Sequence, residues 1–261
     1  MTYGLIGEKL SHSWSKIIHE KATDYTYDLC PLSKDEVEEF MTRKKFHGIN
    51  VTIPYKQTVI PYLDIIDETA KSIGAVNTVV NRNGKLYGYN TDYLGFLYTL
   101  KAHNITVSDK KCIILGNGGA NKAIVAALTI AGCKNIIIVN RSLTEGVISY
   151  EECYASHTDA DLIVNTTPVG MYPNVEASPL NLESFKNCTT VIDIIYNPLA
   201  TCLLQQASTL GMTAINGLEM LVAQAIYTAE YFLDKKLDET IIASISDELT
   251  EMMKRQTSES K

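Results

Sequence analysis

Arginine and long apolar runs are scarce in this chain, and both absences exclude classes of protein. Only four of the 261 residues are arginine, and 23 Lys+Arg against 30 Asp+Glu give a formal charge of −7. This balance argues against a nucleic-acid partner, because clustered basic side chains hold a phosphate backbone. No apolar run reaches the roughly 18 residues of a membrane helix, and the start lacks the basic and apolar segments of a signal peptide. We therefore expect a cytoplasmic protein without a membrane partner.

Cysteine pairs at metal-binding or redox spacing are also missing. The six cysteines are scattered, with no Cys-x-x-Cys and no histidine at ligand spacing. We expect reduced thiols in the core and no metal site. The hydrophobic fraction of 46% is that of an ordinary globular chain, and the length allows one large domain or two modest ones.

Apolar periodicity changes character along the chain, which predicts two α/β parts. The first part has short predicted strands at 3–6, 25–29, 48–52, 75–80 and 85–89, with a clear helix at 34–44. Beyond a predicted helix at 91–103, the strands at 111–115, 135–139, 161–165 and 190–194 are apolar throughout. Such strands are typical of a parallel sheet covered on both faces. We predict a mixed α/β domain followed by a doubly wound, Rossmann-like domain.

A glycine-rich turn follows the first strand of the second part. The segment Gly116-Asn117-Gly118-Gly119-Ala120 leaves a strand and enters an Ala-rich helix. Glycines there allow a tight turn and bring backbone N–H groups close to a pyrophosphate. The strict G-x-G-x-x-G form fails, because Asn121 holds its last position. The next strand ends in Asn140-Arg141-Ser142, and an arginine there favours NADP, whose 2′-phosphate it can pair with, over NAD.

Small polar residues follow the predicted strands of the first part and complete a set of ordered motifs. Alternation along the strand places Asn50 and Thr52 on one face, which suits a polyhydroxylated ligand, although such residues also cap turns. The motifs are His12-Ser13-x-Ser15, Asn50-Val51-Thr52-x-Pro54-x-Lys56, Gly74-Ala75-Val76-Asn77-Thr78, Asn90-Thr91-Asp92, Gly116-x-Gly118-Gly119-Ala120, Asn140-Arg141-Ser142, Asn165-x-Thr167-Pro168-Val169-Gly170-Met171, Asp193-x-x-Tyr196-x-Pro198 and Gly217-x-x-Met220-Leu221-x-x-Gln224. In this order, from Gly7 to Gln224, the chain resembles the shikimate dehydrogenase family.

The resemblance implies an activity and a set of site residues. The family reduces 3-dehydroshikimate reversibly to shikimate with NADPH, on the route to chorismate and the aromatic amino acids. Lys56 and Asp92 would be the catalytic pair. The resemblance implies that Ser13 and Ser15 hold the substrate carboxylate, that Asn50, Thr52, Asn77 and Gln224 bind ring hydroxyls, and that Tyr196 lies nearby. For NADP(H) it implies Gly116, Asn117, Gly118, Gly119, Ala120, Asn140, Arg141, Ser142, Thr166, Thr167, Ile194 and Gly217.

The resemblance also implies the domain boundaries. Residues 1–92 would form the substrate domain, to which C-terminal helices at 219–261 return, and residues 93–218 would bind NADP. A small-molecule substrate is the expected partner, and the protein is expected to be a monomer or a homodimer.

One segment departs from the family pattern. Only 19 residues, 142–160, separate two predicted strands that normally bracket a helix, a strand and a second connection. We therefore predict that the helix after Arg141 is missing or reduced to a turn and that 147–150 is a short or absent edge strand. This loss would weaken NADP binding, and Glu145 would repel a 2′-phosphate if it faced one.

Two alternatives remain at this point. A quinate/shikimate dehydrogenase that uses NAD is the nearer one, and Arg141 weighs against it. A non-catalytic protein that senses shikimate or quinate is the other, and the retention of both Lys56 and Asp92 weighs against that.

Overall fold

The computed structural model describes residues 1–10 and 13–259, so His12 of the first motif lies outside the described residues. The chain divides into two units. The first comprises Met1–Phe96 and Leu221–Lys261, and the second comprises Leu97–Met220. The predicted α/β class is confirmed, and the C-terminal helices belong to the first unit, as the resemblance implies. No helix in the described ranges is long and apolar enough to cross a membrane.

The first unit contains a six-stranded mixed sheet in the order β2-β1-β3-β5-β6-β4. Its strands are β1 (Tyr3–Gly7), β2 (Tyr27–Pro31), β3 (Gly48–Val51), β4 (Ile65–Ile66), β5 (Thr78–Arg82) and β6 (Lys85–Tyr89). Its helices are α1 (Ser15–Ala22), α2 (Glu36–Arg43), α3 (Glu68–Ile73), the start of α4 (Asp92–Ala102), most of α8 (Leu218–Leu233) and α9 (Thr240–Glu259).

Both faces of this sheet are buried. Successive residues of a strand point to opposite faces, and Leu5 and Ile6 of β1 accordingly lie in different apolar clusters. Val79 and Val80 of β5 divide in the same way. Phe232 of α8 packs in the cluster of Leu5 and Val80, which anchors α8 to the sheet.

Strand direction brings three polar segments to one edge of this sheet. β3 runs antiparallel to β5 with Asn50 opposite Thr78, and β5 runs antiparallel to β6 with Thr78 opposite Tyr89. The end of β3, the start of β5 and the end of β6 therefore meet. The segments 50–56, 77–78 and 90–92 follow or precede these strand ends, so the topology places them side by side.

The second unit contains a six-stranded parallel sheet in the order β12-β11-β10-β7-β8-β9. Its strands are β7 (Lys111–Leu115), β8 (Asn135–Val139), β9 (Val147–Ile148), β10 (Leu162–Asn165), β11 (Thr190–Asp193) and β12 (Thr213–Ile215), and its helices are the rest of α4, α5 (Gly119–Ile130), α6 (Tyr150–Ser156) and α7 (Cys202–Thr209). Numbered within the unit, this is the 3-2-1-4-5-6 order of the Rossmann fold. Successive strands are added on one side of β7 up to β9 and on its other side from β10 onward. Such folds bind their ligands at this switch point, between β7 and β10.

The short segment after Arg141 folds as the sequence predicts. In the described chain no helix separates β8 from β9, and β9 is a two-residue edge strand. A parallel crossover ordinarily takes a dozen or more residues. Seven residues, 140–146, suffice here because β9 pairs only with Ile138 and Val139 at the very end of β8. After β9, the short helix α6 leads to the next strand of the sheet, β10.

Several predicted element boundaries differ from the structure by one to three residues. β2 begins at Tyr27 rather than at 25, and β5 begins at Thr78 rather than at 75. The residues before Thr78 are irregular and bend at Asn77, with the amide of Val76 bonded to the carbonyl of Lys56 and the amide of Asn77 to the carbonyl of Tyr89. The last helix, α9, continues to Glu259.

Candidate active site

Lys56 and Asp92 form an ion pair at the polar edge of the first sheet. The Lys56 Nζ donates to Asp92 Oδ2 at 2.6 Å, and the two side chains are 20% and 13% exposed. In the part of the chain that the structure describes, this is the hydrogen bond that the ammonium makes, so two of its three N–H groups remain available to a ligand. Partial burial makes such a pair stronger than a surface salt bridge.

The backbone fixes both partners. Lys56 lies five residues beyond β3, and its carbonyl accepts from the amide of Val76 at 2.8 Å. Asp92 is the first residue of α4, where a carboxylate is favoured by the helix dipole. Its amide donates to Asn90 Oδ1 at 3.0 Å, while Asn90 Nδ2 donates to the carbonyl of Ala75.

Asn77 holds the second oxygen of the Asp92 carboxylate. Its Nδ2 donates to Asp92 Oδ1 at 2.8 Å and to Thr91 Oγ1 at 3.0 Å. Its Oδ1 accepts from the Thr91 amide at 2.7 Å and from Thr78 Oγ1 at 3.0 Å. Every hydrogen-bonding atom of this amide is thereby engaged, and the residue is only 3% exposed. The carboxylate is held from two sides, by Lys56 and by Asn77.

Asn50 lies deeper, behind Asn77. Its Nδ2 approaches the Asn77 carbonyl, Thr78 Oγ1 and Thr228 Oγ1 at 3.1 to 3.3 Å, and its Oδ1 accepts from Tyr27 Oη at 2.6 Å. The residue is 6% exposed. These contacts commit both amide hydrogens to the protein. The contact of Asn50 with a ring hydroxyl, implied by the resemblance, stays a prediction.

The two serines lie at the start of α1. Ser13 Oγ accepts from the amide of Ser15 at 3.3 Å, and both residues are half-buried. The first turn of α1 contains no acidic side chain, so its positive dipole end is uncompensated from within the helix. Hydroxyls and amide groups at a helix N-terminus suit a carboxylate.

Thr52 and Gln224 complete the residues predicted for the first unit. Thr52 follows β3 directly, and its methyl group fits because Gly7 has no Cβ: one built there would lie 2.5 Å from it. Gln224 Nε2 donates to the carbonyl of Leu221 in its own helix. It lies one turn before Thr228, on the same face of α8 that bonds to Asn50.

The glycine turn of the second unit lies where the Rossmann sheet reverses direction. Gly116 has φ +101°, and a Cβ there would lie 2.9 Å from Thr166 Oγ1 and Thr167 Cγ2. Thr166 Oγ1 donates to the carbonyl of Leu115 at 2.7 Å. Only glycine readily adopts this positive φ and also leaves room for the two threonine side chains. The turn then leads through Gly118 and Gly119 to the N-terminus of α5. This cradle fits the pyrophosphate of a dinucleotide such as NADP(H).

Asn121 stands where the strict motif has its last glycine, and its side chain makes a hydrogen bond that the sequence pattern does not predict. Its Nδ2 donates to the carbonyl of Gly116 at 2.8 Å, and the side chain is buried. The departure from G-x-G-x-x-G therefore closes the turn with a side-chain bond. Asn117 makes a second unpredicted bond, from its Nδ2 to Thr144 Oγ1, which ties the turn to the loop after β8.

That loop carries the residues predicted to contact the adenosine end of the cofactor. Asn140 Nδ2 donates to the carbonyl of Ser142 at 3.2 Å. Arg141, Ser142 and Glu145 are exposed. Burial raises the pKa of Tyr150, and the positive charge of Arg141 opposes that rise.

Ile194, Tyr196 and Gly217 follow the last two strands at the same edge. A Cβ on Gly217 would lie 2.0 Å from the Ile194 carbonyl, and the Gly217 amide donates to the carbonyl of Ile195. The close approach of these two chain segments therefore requires glycine. Burial raises the pKa of the Tyr196 phenol, so the group stays neutral at physiological pH.

Asp193, at the end of β11, is a buried carboxyl that braces this edge. It accepts from Thr201 Oγ1 at 2.7 Å, from the Ile195 amide at 3.1 Å and from Asn165 Nδ2 at 3.0 Å. Burial raises its pKa from 3.8 to about 6, although these donors oppose the rise. The charged form is thus the costly one in the folded protein.

This raised pKa gives a prediction about stability. Because the folded-state pKa exceeds the unfolded one, the contribution of Asp193 to stability is fully present below pH 3.8 and is lost as pH rises through about 6. The separation corresponds to about 3 kcal/mol. We expect the difference in free energy of unfolding between wild type and Asp193→Asn to shift by about 2 to 3 kcal/mol in favour of the variant between about pH 4 and about pH 8. Urea unfolding at a series of pH values measures it, and a constant difference would contradict the prediction.

The two units therefore present a lysine–aspartate pair on a mixed sheet and a dinucleotide cradle on a Rossmann sheet, a combination that defines an oxidoreductase. Comparison with known proteins agrees. Residues 5–79 match the family model of the shikimate dehydrogenase substrate binding domain. Shikimate dehydrogenase (NADP(+)) of Clostridium beijerinckii is 42% identical over 253 residues, which cover 90% of this chain and 93% of that protein.

Solved structures give the same result. The chorismate mutase/shikimate 5-dehydrogenase fusion protein of Clostridium acetobutylicum has a TM-score of 0.92 and 38% identity, with coverage of 97% of this chain and 98% of that one. Shikimate 5-dehydrogenase of Thermus thermophilus, in complex with NADP(H) and shikimate, has a TM-score of 0.85 and 29% identity, with coverage of 95% and 99%. The chain belongs to the shikimate dehydrogenase family.

Proposed function

We propose that this protein is an NADP-dependent shikimate dehydrogenase, which interconverts 3-dehydroshikimate and shikimate. The observation that carries the proposal is the Lys56–Asp92 pair. Lys56 Nζ lies 2.6 Å from Asp92 Oδ2, and its other N–H groups are available to a substrate. Family membership supports the same activity, since relatives with this name cover nearly the whole chain. The six cysteines, all in the described residues, are free thiols, in keeping with the cytoplasmic location that we propose.

In this proposal the two units divide the work. The first unit binds the substrate: Ser13 and Ser15 receive the carboxylate, and Asn50, Thr52, Asn77 and Gln224 bind ring hydroxyls. The second unit binds NADP(H), with its pyrophosphate on the Gly116 cradle. The remaining cofactor contacts proposed are Asn117, Gly118, Gly119, Ala120, Asn140, Arg141, Ser142, Thr166, Thr167, Ile194 and Gly217.

Lys56 donates or accepts the proton in the proposed reaction. NADP(H), when bound, supplies or accepts the hydride. In the reductive direction the ketone oxygen gains negative charge, and Lys56 Nζ gives it a proton as that charge forms. In the oxidative direction the same nitrogen, unprotonated, takes the hydroxyl proton back. Asp92 keeps Nζ in place, and it accepts a hydrogen bond from the same hydroxyl only in the bound alcohol, before that proton moves to Nζ.

Initial rates test the proposal. Absorbance at 340 nm is followed with shikimate and with quinate, each against NADP+ and NAD+. We expect shikimate with NADP+ to give the highest kcat/KM. Faster turnover of quinate with NAD+ would overturn the assignment in favour of a quinate/shikimate dehydrogenase. Binding of shikimate without turnover would instead indicate a sensing protein.

Arg141 offers a separate prediction on cofactor choice. Arg141→Gln removes the one cation that the sequence places at the expected 2′-phosphate, and hydrogen bonds to charged groups contribute about 1.5–3 kcal/mol. We therefore expect kcat/KM for NADP+ to fall about tenfold to a hundredfold, with little change for NAD+. Lys134→Gln, at the opposite end of β8, is the matched control and should change neither value. Equal losses with both cofactors would remove Arg141 from 2′-phosphate recognition.

A further inference from the structure

A hydrogen-bonded cluster of five buried residues lies behind the catalytic pair: Asn50, Asn77, Thr78, Thr91 and Thr228. Thr228, on α8, contacts three of the other four. Thr228 Oγ1 lies 2.9 Å from Thr78 Oγ1, 2.9 Å from Thr91 Oγ1 and 3.1 Å from Asn50 Nδ2. Its side chain is fully buried. A hydroxyl has one donor and two acceptor sites, so these three contacts use its whole capacity.

We infer that Thr228 is a positioning residue for the reaction, acting on Asp92 through Thr91 and Asn77. The inference rests on the proposed function, because it concerns the placement of the proposed catalytic carboxylate. Thr91 precedes Asp92 in the chain and accepts from Asn77 Nδ2, whose other hydrogen goes to Asp92 Oδ1. The path from α8 to the carboxylate thus consists of direct hydrogen bonds within one unit.

One arrangement of hydroxyl hydrogens satisfies the whole cluster. Thr78 donates to Asn77 Oδ1, Thr91 donates to Thr228, and Thr228 donates to Thr78, while Asn50 Nδ2 donates to Thr228. Each hydroxyl then donates once. This order leaves both hydrogens of Asn77 Nδ2 for Thr91 and Asp92. A fully satisfied buried network of this kind specifies one geometry.

Removal of the Thr228 hydroxyl breaks that order. Asn50 Nδ2 loses an acceptor, and the Thr91 hydroxyl must turn to Asn77 Oδ1, at 3.3 Å, or to Thr78 Oγ1, at 3.4 Å. Asn77 Oδ1 already accepts from the Thr91 amide and from Thr78. Either turn also redirects the lone pairs of Thr91 Oγ1, which accepts from Asn77 Nδ2. The Asn77 amide therefore loses its single orientation, and Asp92 loses a fixed donor on the side opposite Lys56.

The test compares Thr228→Val, which keeps the shape but loses the hydroxyl, with Thr228→Ser, which keeps the hydroxyl. Single-turnover oxidation of shikimate by saturating NADP+ is followed by stopped flow at 340 nm. We expect the valine variant to lose about tenfold in the rate constant of hydride transfer at full amplitude, since an unpaired buried polar group costs about that much. We expect the serine variant to recover most of the loss. KM for NADP+ should stay unchanged in both.

The stopped-flow amplitude and rate constant distinguish a positioning role of Thr228 from an effect on folding alone. A fraction of misfolded protein lowers the amplitude and leaves the rate constant of the active fraction as in wild type. A wild-type rate constant in Thr228→Val would therefore overturn the inference, and Thr228→Ala provides the same comparison if valine impairs folding. An inactive wild type would overturn the proposed function and the inference with it, so the two failures are distinct.

Ser246→Ala is the matched control. Ser246 is a second buried hydroxyl on a C-terminal helix, α9, and its Oγ has no hydrogen-bond partner among the described residues. Its removal should leave the rate constant and the amplitude unchanged. A tenfold loss in this variant as well would show that any buried hydroxyl of these helices matters, which would overturn the specific role of Thr228.

Discussion

Lys56→Ala should lower kcat by about 10³- to 10⁴-fold while shikimate still binds. Proton transfer by a positioned side chain contributes about 10²- to 10⁴-fold, and Lys56 is the group proposed to transfer it. Binding should survive because the other proposed substrate contacts remain in place. Steady-state rates measure the first effect. The second can be followed by the fluorescence of Trp14, the single tryptophan of the chain, which lies between Ser13 and Ser15.

A surface lysine of the same unit provides the control. Lys71 is exposed on α3, and Lys71→Ala removes the same charge without touching the ion pair. It should retain wild-type kcat. Near-normal turnover in Lys56→Ala would exclude Lys56 from the chemistry, whereas equal losses in both variants would indicate a general effect of charge.

Asp92→Asn should have the next largest effect, a loss of about a thousandfold in kcat. The amide would keep one oxygen but place a donor where Asp92 now accepts from Lys56 Nζ or from Asn77 Nδ2. In the first orientation Lys56 loses the anchor that directs its ammonium toward the reacting oxygen, and in the second Asn77 loses its hold on the side chain, because two donors do not bond to each other.

A double-variant cycle shows whether the two residues act as a unit. Groups that act together show strongly non-additive losses. We therefore expect Lys56→Ala/Asp92→Asn to be about as slow as Lys56→Ala alone. Losses that multiply would show that Asp92 contributes independently of Lys56, contrary to the proposed mechanism.

Much of the fold follows from the sequence because two kinds of local pattern are strong here. Uninterrupted apolar strands predict the parallel sheet of the second unit, and the count of residues after Arg141 predicts the missing helix. The start of β5 is harder to predict, since Ala75, Val76 and Asn77 fit a strand equally well. The structure leaves these residues outside the strand, with Val76 and Asn77 bonded to Lys56 and Tyr89, which are distant in sequence.

The candidate site is predictable in membership but not in arrangement. Motifs indicate Lys56, Asp92 and Asn77, and antiparallel pairing of β3, β5 and β6 brings them together. Thr228 belongs to no motif that we identified, and its role depends on where α8 packs. Asn121 is visible only as a departure from a glycine pattern, and its bond to Gly116 exists only once the turn is folded.

A crystal structure of the protein with shikimate and NADP+ bound tests the central claim most directly. We expect Lys56 Nζ and one carboxylate oxygen of Asp92 to lie within about 3.2 Å of the same ring hydroxyl oxygen. A bound shikimate whose hydroxyls all lie beyond hydrogen-bonding reach of both groups would contradict the account.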